Sequence, residues 1–193
     1  KNFLENPDSN PVDILFKDSK VDDFELDVPD QLFTPGIEIS GPSSQTSMFI
    51  NGLNENSDGF RADGDLDDNE DASGHTLEDT VRSAINRKGA VLRNLEYFDK
   101  NKNKKYSLNP GALPFFMHRE RGILLDEKDY LIDGKPVIAS ILDTVLTLMH
   151  CGLEQQKKGD NIYFYIPKLE TSKEVDFWKI FFDEAVKLIP SLN

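Results

Sequence analysis

Oxygen-bearing side chains occupy every second position of one short stretch: Asp63, Asp65, Asp67, Asn69 and Asp71. That alternation resembles the opening of a calcium loop, whose odd-numbered side chains converge on one ion. Such a loop also needs Gly at its sixth position and Glu at its twelfth, and here these are Asp68 and Gly74. The competing reading is a solvated acidic loop. Asp99, Asn101 and Asn103 form a weaker copy of the pattern. Further along, Arg119 stands with Glu120 and Arg121 at the end of an apolar run, and Lys168 and Glu170 close another. A guanidinium at a strand end either binds an anion or pairs with a neighbouring acid such as Glu120, Glu170 or Asp65, because buried arginines are usually paired. Lys168 and Glu170 read first as fastenings of their own strand end. His118 alternates with Arg119 and therefore faces the opposite side of the strand, toward a helical layer, as a neutral core histidine. His150 and Cys151 are adjacent on one helix without a third member to make a nucleophilic triad, and Cys151 reads as core.

These side chains need a scaffold, and composition bounds what it is. At 193 residues one domain with a sizeable core is the default. The net charge of -13 repels phosphate backbones and anionic lipid heads, so nucleic acid and membrane insertion are not expected. A single cysteine excludes an internal disulfide and a cysteine-built metal cluster, and suits a reducing cytoplasm or organelle matrix. The sequence opens at Lys1 without Met, as a processed chain, a proteolytic piece or part of a longer protein would. It carries no visible targeting peptide, and its final Ser-Leu-Asn differs from the peroxisomal Ser-Lys-Leu address.

Residues 1–33 are rich in Asp, Asn, Pro and Ser and read as an extended arm or linker ahead of a domain over 34–193. From Ile37 onward, short β-rich runs alternate with longer helical stretches, the pattern of βα units around a parallel sheet. The first unit pairs residues 37–40 with a helix over about 45–54. The second pairs residues 59–63 with a helix beginning near Thr76, where Thr76-Leu77-Glu78-Asp79 spells a capping box. A hairpin joins 95–98 to 106–108. The third strand covers 113–119 and leads through a turn at Asp133-Gly134 to a helix bearing Ile138, Ile141, Leu142, Val145, Leu148 and Met149. The fourth covers 162–166 and is followed by an amphipathic helix with Trp178, Phe181 and Phe182. Four βα units make half of an eight-stranded α/β barrel of the TIM type, and the free edges of its first and fourth strands would expose unpaired backbone groups. Such a partial barrel calls for another protein chain, or a C-terminal half, to cover those edges.

Several runs, in one order, resemble the malate synthases of the shorter, plant-and-bacterial form. Arg119-Glu120-Arg121-Gly122-Ile123-Leu124-Leu125 is similar to that family's Arg-Pro-Arg-Gly-Trp-His-Leu, and Ile132-Asp133-Gly134-Lys135-Pro136 to its Val-Asp-Gly-Glu-Pro turn. Tyr163-Phe164-Tyr165-Ile166-Pro167-Lys168-Leu169-Glu170-Thr171 resembles Tyr-Phe-Tyr-Leu-Pro-Lys-Leu-Glu-Ser. Upstream, Ile37-Glu38-Ile39-Ser40-Gly41-Pro42 and Met48-Phe49-Ile50-Asn51-Gly52-Leu53-Asn54 match Val-Glu-Ile-Thr-Gly-Pro and Met-Val-Ile-Asn-Ala-Leu-Asn. The resemblance runs from about residue 35 to the end.

It implies condensation of acetyl-CoA with glyoxylate, then thioester hydrolysis to malate and CoA, at a magnesium site on the C-terminal face of a barrel. An aspartate base takes a methyl proton and an arginine steadies the enolate oxygen, a role the resemblance assigns to Arg119. Asp63, Asp65, Lys168 and Glu170 are the residues it brings toward substrate. The family's two magnesium ligands and its base lie beyond the matched segment, so no metal is expected on this chain alone, and acetyl-CoA and glyoxylate only on a completed protein. Within the matched segment, the family's Ala-Asp-Phe-Glu-Asp-Ser reads here as Ala62-Asp63-Gly64-Asp65-Leu66-Asp67-Asp68, and Glu120 replaces a proline where it could pair with Arg119. The expectation is a malate synthase-like chain that is inactive alone and serves as an accessory or scaffold subunit. The alternatives are part of an active malate synthase completed elsewhere and, from another class, an acidic calcium-binding module.

Overall fold

The computed structural model describes residues 28, 30–33 and 36–192. It divides into a unit over Lys1–Pro35 and a second over Gly36–Asn193. The expected arm over 1–33 falls mostly outside the described residues, but Asp30–Phe33 form a single helical turn, α1, rather than extended chain.

The second unit is built on a parallel sheet of β1 (Glu38–Gly41), β2 (Gly64–Asp68) and β5 (Phe115–Arg119), in the order β1-β2-β5. Registers Gly41↔Asp67 and Asp68↔Arg119 bring the carboxyl ends of the strands together. The expected fourth strand follows in space, reduced to one parallel bridge between His118 and Phe164. The N–H of His118 donates to the carbonyl of Tyr163 at 2.9 Å, and the N–H of Tyr165 donates to that of His118 at 2.9 Å.

The second strand is displaced from its expected position at 59–63. Asn56 Oδ1 accepts the N–H groups of both Asp58 and Phe60, and Gly59 has φ +80°, so 56–60 closes a turn. Phe60 is left 74% exposed. The strand forms five residues later from Gly-Asp-Leu-Asp-Asp, an acidic run that local β propensity disfavours. Burying it requires cations, and the neighbouring elements supply them.

Helix α2 (Thr46–Leu53) lies close to its expected range. Helix α3 (Leu77–Val91) starts at Thr76, whose Oγ1 accepts the N–H of Asp79 at 3.1 Å. The antiparallel hairpin of β3 (Glu96–Asp99) and β4 (Lys104–Ser107) matches expectation. The Asp133-Gly134 turn joins β6 (Asp126–Ile132) to β7 (Lys135–Ile138), and positive φ at both turn residues suits a two-residue hairpin loop. Helix α4 (Ala139–Thr147) loosens into a π turn over Leu148–Gly152 and resumes as α5 (Leu153–Lys157). Helix α6 (Ser172–Leu188) closes the unit behind a full capping box of Thr171 and Glu174.

The apolar core joins Phe49, Ile50 and Leu53 of α2, Ala90 and Val91 of α3, Leu95, Tyr106, Phe116 of β5 and Cys151. Cys151 is thus a core residue, as expected. Phe116 stacks on Phe49 at 6.3 Å, so Phe116 and His118 point into the helical layer while Phe115, Met117 and Arg119 point to the other face.

Candidate functional site

Where β2 and β5 end side by side, Arg119 Nη1 donates to Asp68 Oδ2 at 3.2 Å, and Nη2 lies 2.7 Å from Asp71 Oδ2 and 3.8 Å from Glu70 Oε2. Lys168, at the end of the 163–166 segment, reaches the same acids: its Nζ donates to Glu70 Oε1 at 2.6 Å and to Asp71 Oδ1 at 3.4 Å. The ring of Tyr165 lies 5.5 Å from the guanidinium carbon, within reach of a cation-π attraction. The loop after β2 is held by the Asp68 side chain and by β5. Asp68 Oδ1 accepts the N–H groups of Glu70 and Asp71, and the N–H of Asn69 donates to the carbonyl of Arg119 at 2.8 Å. Burial pulls the Arg119 pKa down, but the charges of Asp68, Asp71 and Glu70 raise it above its ordinary value. The guanidinium is 17% exposed, so it stays charged and open to small solutes.

Behind this mouth, on the helical side, lies a second and fully buried charge network. Arg87 of α3 donates to Asp67, to Glu120 Oε1 at 2.8 Å and to Thr147 Oγ1 at 2.6 Å. His118 Nδ1 donates to Asp67 Oδ2 at 2.6 Å. Asn69 Nδ2 donates to Glu120 Oε2 at 3.1 Å, and Ser83 Oγ to Asn69 Oδ1 at 2.8 Å. Burial lowers the His118 pKa, yet the charge and hydrogen bond of Asp67 push it up to about 10. His118 does face the helical layer, but as a charged imidazolium rather than the neutral core residue expected. The Asp67 carboxylate decides this, and the spacing of β5 alone does not reveal it. Arg121 is held next door by Asp143 Oδ1 and Oδ2 at 2.8 and 2.9 Å and by Glu127 at 2.9 Å.

Of the residues named from sequence, Arg119 and Lys168 meet at the mouth. Asp63 does not: it precedes β2 at the opposite end of the sheet, where its Oδ2 accepts the N–H of Ile37 at 2.8 Å. Asp65 is buried mid-strand under Gly52 of α2, its pKa raised to about 8 by burial first and the Asp67 charge second. Glu170 is exposed just ahead of α6, where its N–H donates to Glu174. None of the acids named as partners of Arg119 pairs with it. Glu120 points the other way, to Arg87, since adjacent strand residues face opposite sides. The calcium-loop reading fails because residues 64–68 are extended strand, which spreads the odd-numbered carboxylates along the sheet instead of wrapping them around an ion.

The sequence pattern places Asp68 and Asp71 in a calcium loop rather than beside Arg119, and it gives Glu70 and Arg87 no role. Arg87 carried a signal nonetheless, since it shares the face of Thr80, Ser83, Ala84, Ala90 and Val91 on α3, and a charge on a buried face needs a buried partner.

A family model for the malate synthase TIM barrel domain matches residues 115–190, the stretch from β5 to the end of α6. Malate synthase of Myxococcus xanthus is 37% identical over 158 residues, 82% of this chain. The Arabidopsis thaliana malate synthase is 34% identical and the glyoxysomal malate synthase of Brassica napus 35%, each over 83% of this chain. The chain belongs to the malate synthase family. It spans about 28% of the length of these malate synthases.

The position of β2 also revises the comparison with the malate synthase motif Ala-Asp-Phe-Glu-Asp-Ser. The strand itself reads Gly64-Asp65-Leu66-Asp67-Asp68, beginning two residues beyond the Ala62 at which that match starts. Among the described residues no group of three or more His, Cys, Asp or Glu side chains could hold a metal ion. The mouth acids already serve Arg119 and Lys168, so these residues do not fit the magnesium ion of a malate synthase.

Proposed function

We propose that the protein carrying this chain is a malate synthase, and that residues 36–192 supply the first four βα units of its eight-unit barrel. Arg119 at the mouth would steady the enolate oxygen derived from acetyl-CoA before carbon-carbon bond formation with glyoxylate. The observation that carries the reading is a charged, solvent-reachable guanidinium at the carboxyl end of the third parallel strand, where barrel enzymes do their chemistry. The partner is the remaining length of the barrel, which would cover the free edges of the sheet. It would also bring the proton-abstracting base and the Mg²⁺ ligands. The glyoxysomal relatives, and the lack of any helix among the described residues long and apolar enough to cross a membrane, support an organelle matrix or the cytoplasm.

The test is an assay of the full-length protein with acetyl-CoA, glyoxylate and Mg²⁺. Turnover is expected, reduced about 10²- to 10³-fold in kcat by Arg119→Gln, the usual cost of removing one oxyanion donor. A wild-type protein without turnover would overturn the proposal. A second reading has its own support in the three carboxylates around Arg119, which would quench an oxyanion donor. In that reading the chain is an inactive accessory or scaffold subunit, and Arg119→Gln leaves its association with a partner unchanged.

A further inference from the structure

The mouth holds two cations, Arg119 and Lys168, and three carboxylates, Asp68, Glu70 and Asp71, a net local charge of -1. The three acids are not equivalent. The side chains of Asp68 and Glu70 are 5% and 3% exposed, and Asp68 is further fixed by two backbone N–H groups. Asp71 is 57% exposed, yet like the buried Glu70 it reaches both cations, and it makes the closer contact with Arg119, at 2.7 Å from Nη2 against 3.8 Å for Glu70, while lying 3.4 Å from Lys168 Nζ. If Asp71 turns away, Asp68 still orients Arg119 and Glu70 still orients Lys168, and the local charge becomes zero. One entering monoanion restores it. The buried Glu70 Oε2 has no hydrogen-bond partner, and Arg119 Nε has none either, so an acceptor and a donor stand unused beside the bridge.

We propose that the Asp71 carboxylate is a built-in stand-in for a small carboxylate ligand, which has to displace it from Arg119 and Lys168 in order to bind. Asp71 thereby sets the affinity of the mouth for carboxylates without belonging to the groups that hold them. Exchange is inexpensive because the leaving carboxylate is exposed and is rehydrated as the ligand is desolvated. The inference rests on the mouth being where substrate anion sits, but it concerns binding and not turnover.

The test uses the full-length protein with ¹⁵N-labelled arginine, titrated with acetate and with oxalate at constant ionic strength while the Arg119 guanidinium resonances are followed. Asp71→Asn is expected to bind about two- to fivefold more tightly than wild type, the scale of losing an exposed competing ion pair. Asp71→Ser is expected to do the same, which guards against a folding defect peculiar to one variant. Arg119→Gln is expected to abolish binding. Equal affinities in wild type and both Asp71 variants, no shift in any of them, or binding that survives Arg119→Gln would each overturn the inference. Tighter binding in the Asp71 variants, with a full-length protein that makes no malate, would remove the enzymatic reading and leave this one standing.

Discussion

Arg87 has a side chain 1% exposed, and two carboxylates depend on it. Its own pKa is lowered by burial and raised further by Asp67 and Glu120, so it remains charged. With His118 it balances two buried anions by two buried cations. Removing one member of such a set leaves an uncompensated charge, which costs more than the pair contributes. Arg87→Met is expected to lower stability by about 3–5 kcal/mol in urea unfolding. A loss below about 1 kcal/mol, the level of an exposed pair, would show that the network is not buried as described. Asp65 behaves differently. Held at about 8 against 3.8 for an ordinary Asp, it keeps its proton in the folded chain while the unfolded chain ionises, so stability is full at low pH and falls as pH rises from about 4 to 8. His118 adds a loss of the same sign, full below 6.5 and complete above about 10. Urea midpoints are therefore expected to decline from pH 5 to pH 9. Asp65→Asn should flatten the part below pH 8 and stabilise the protein at pH 8 by roughly 1–3 kcal/mol. A midpoint that rises over this range would contradict both assignments.

Among the elements, the helix start at Thr76 was legible and the acidic strand was not. The box read at Thr76 forms by half. Thr76 Oγ1 accepts the Asp79 N–H, but the Asp79 carboxylate accepts the Thr76 hydroxyl at 3.0 Å rather than its backbone amide. The complete box is at Thr171, where Glu174 accepts the N–H groups of both Glu170 and Thr171. Thr171→Ala should cost about 1 kcal/mol, and Thr76→Ala a similar amount, each read from the shift of the urea midpoint. If Thr171→Ala is silent, α6 is held by the packing of Trp178 and Phe182 rather than by its cap. The start at Thr76 could be read because a cap is a contact over three residues. β2 could not, because its cations come from α3 and β5.

At the scale of the molecule, β1 has no partner on its outer edge among the described residues, and large apolar side chains remain open to solvent, among them Leu124, Ile180 and Leu188, the last at 81%. An unpaired strand edge beside exposed apolar surface invites association. The 193-residue chain alone is expected to self-associate with rising concentration in sedimentation velocity, and to bind a hydrophobic dye. A monomer at all concentrations that binds no dye would mean that these surfaces need no cover.

The sequence alone determined the alternation of parallel strands with helices, the hairpin after α3, the turn at Asp133-Gly134, the core position of Cys151 and the location of Arg119 at the end of a strand, because each rests on periodicity or on contacts a few residues long, whereas the strands flanking that turn were not read. Tertiary structure decided which acids meet which cations. Asp67 lies 51 positions from His118 and 20 from Arg87, and Glu70 lies 98 from Lys168. Charge compensation over such separations leaves no local pattern. It nevertheless selected the acidic run 64–68 as the central strand, turned Glu120 away from Arg119, and gave His118 its proton.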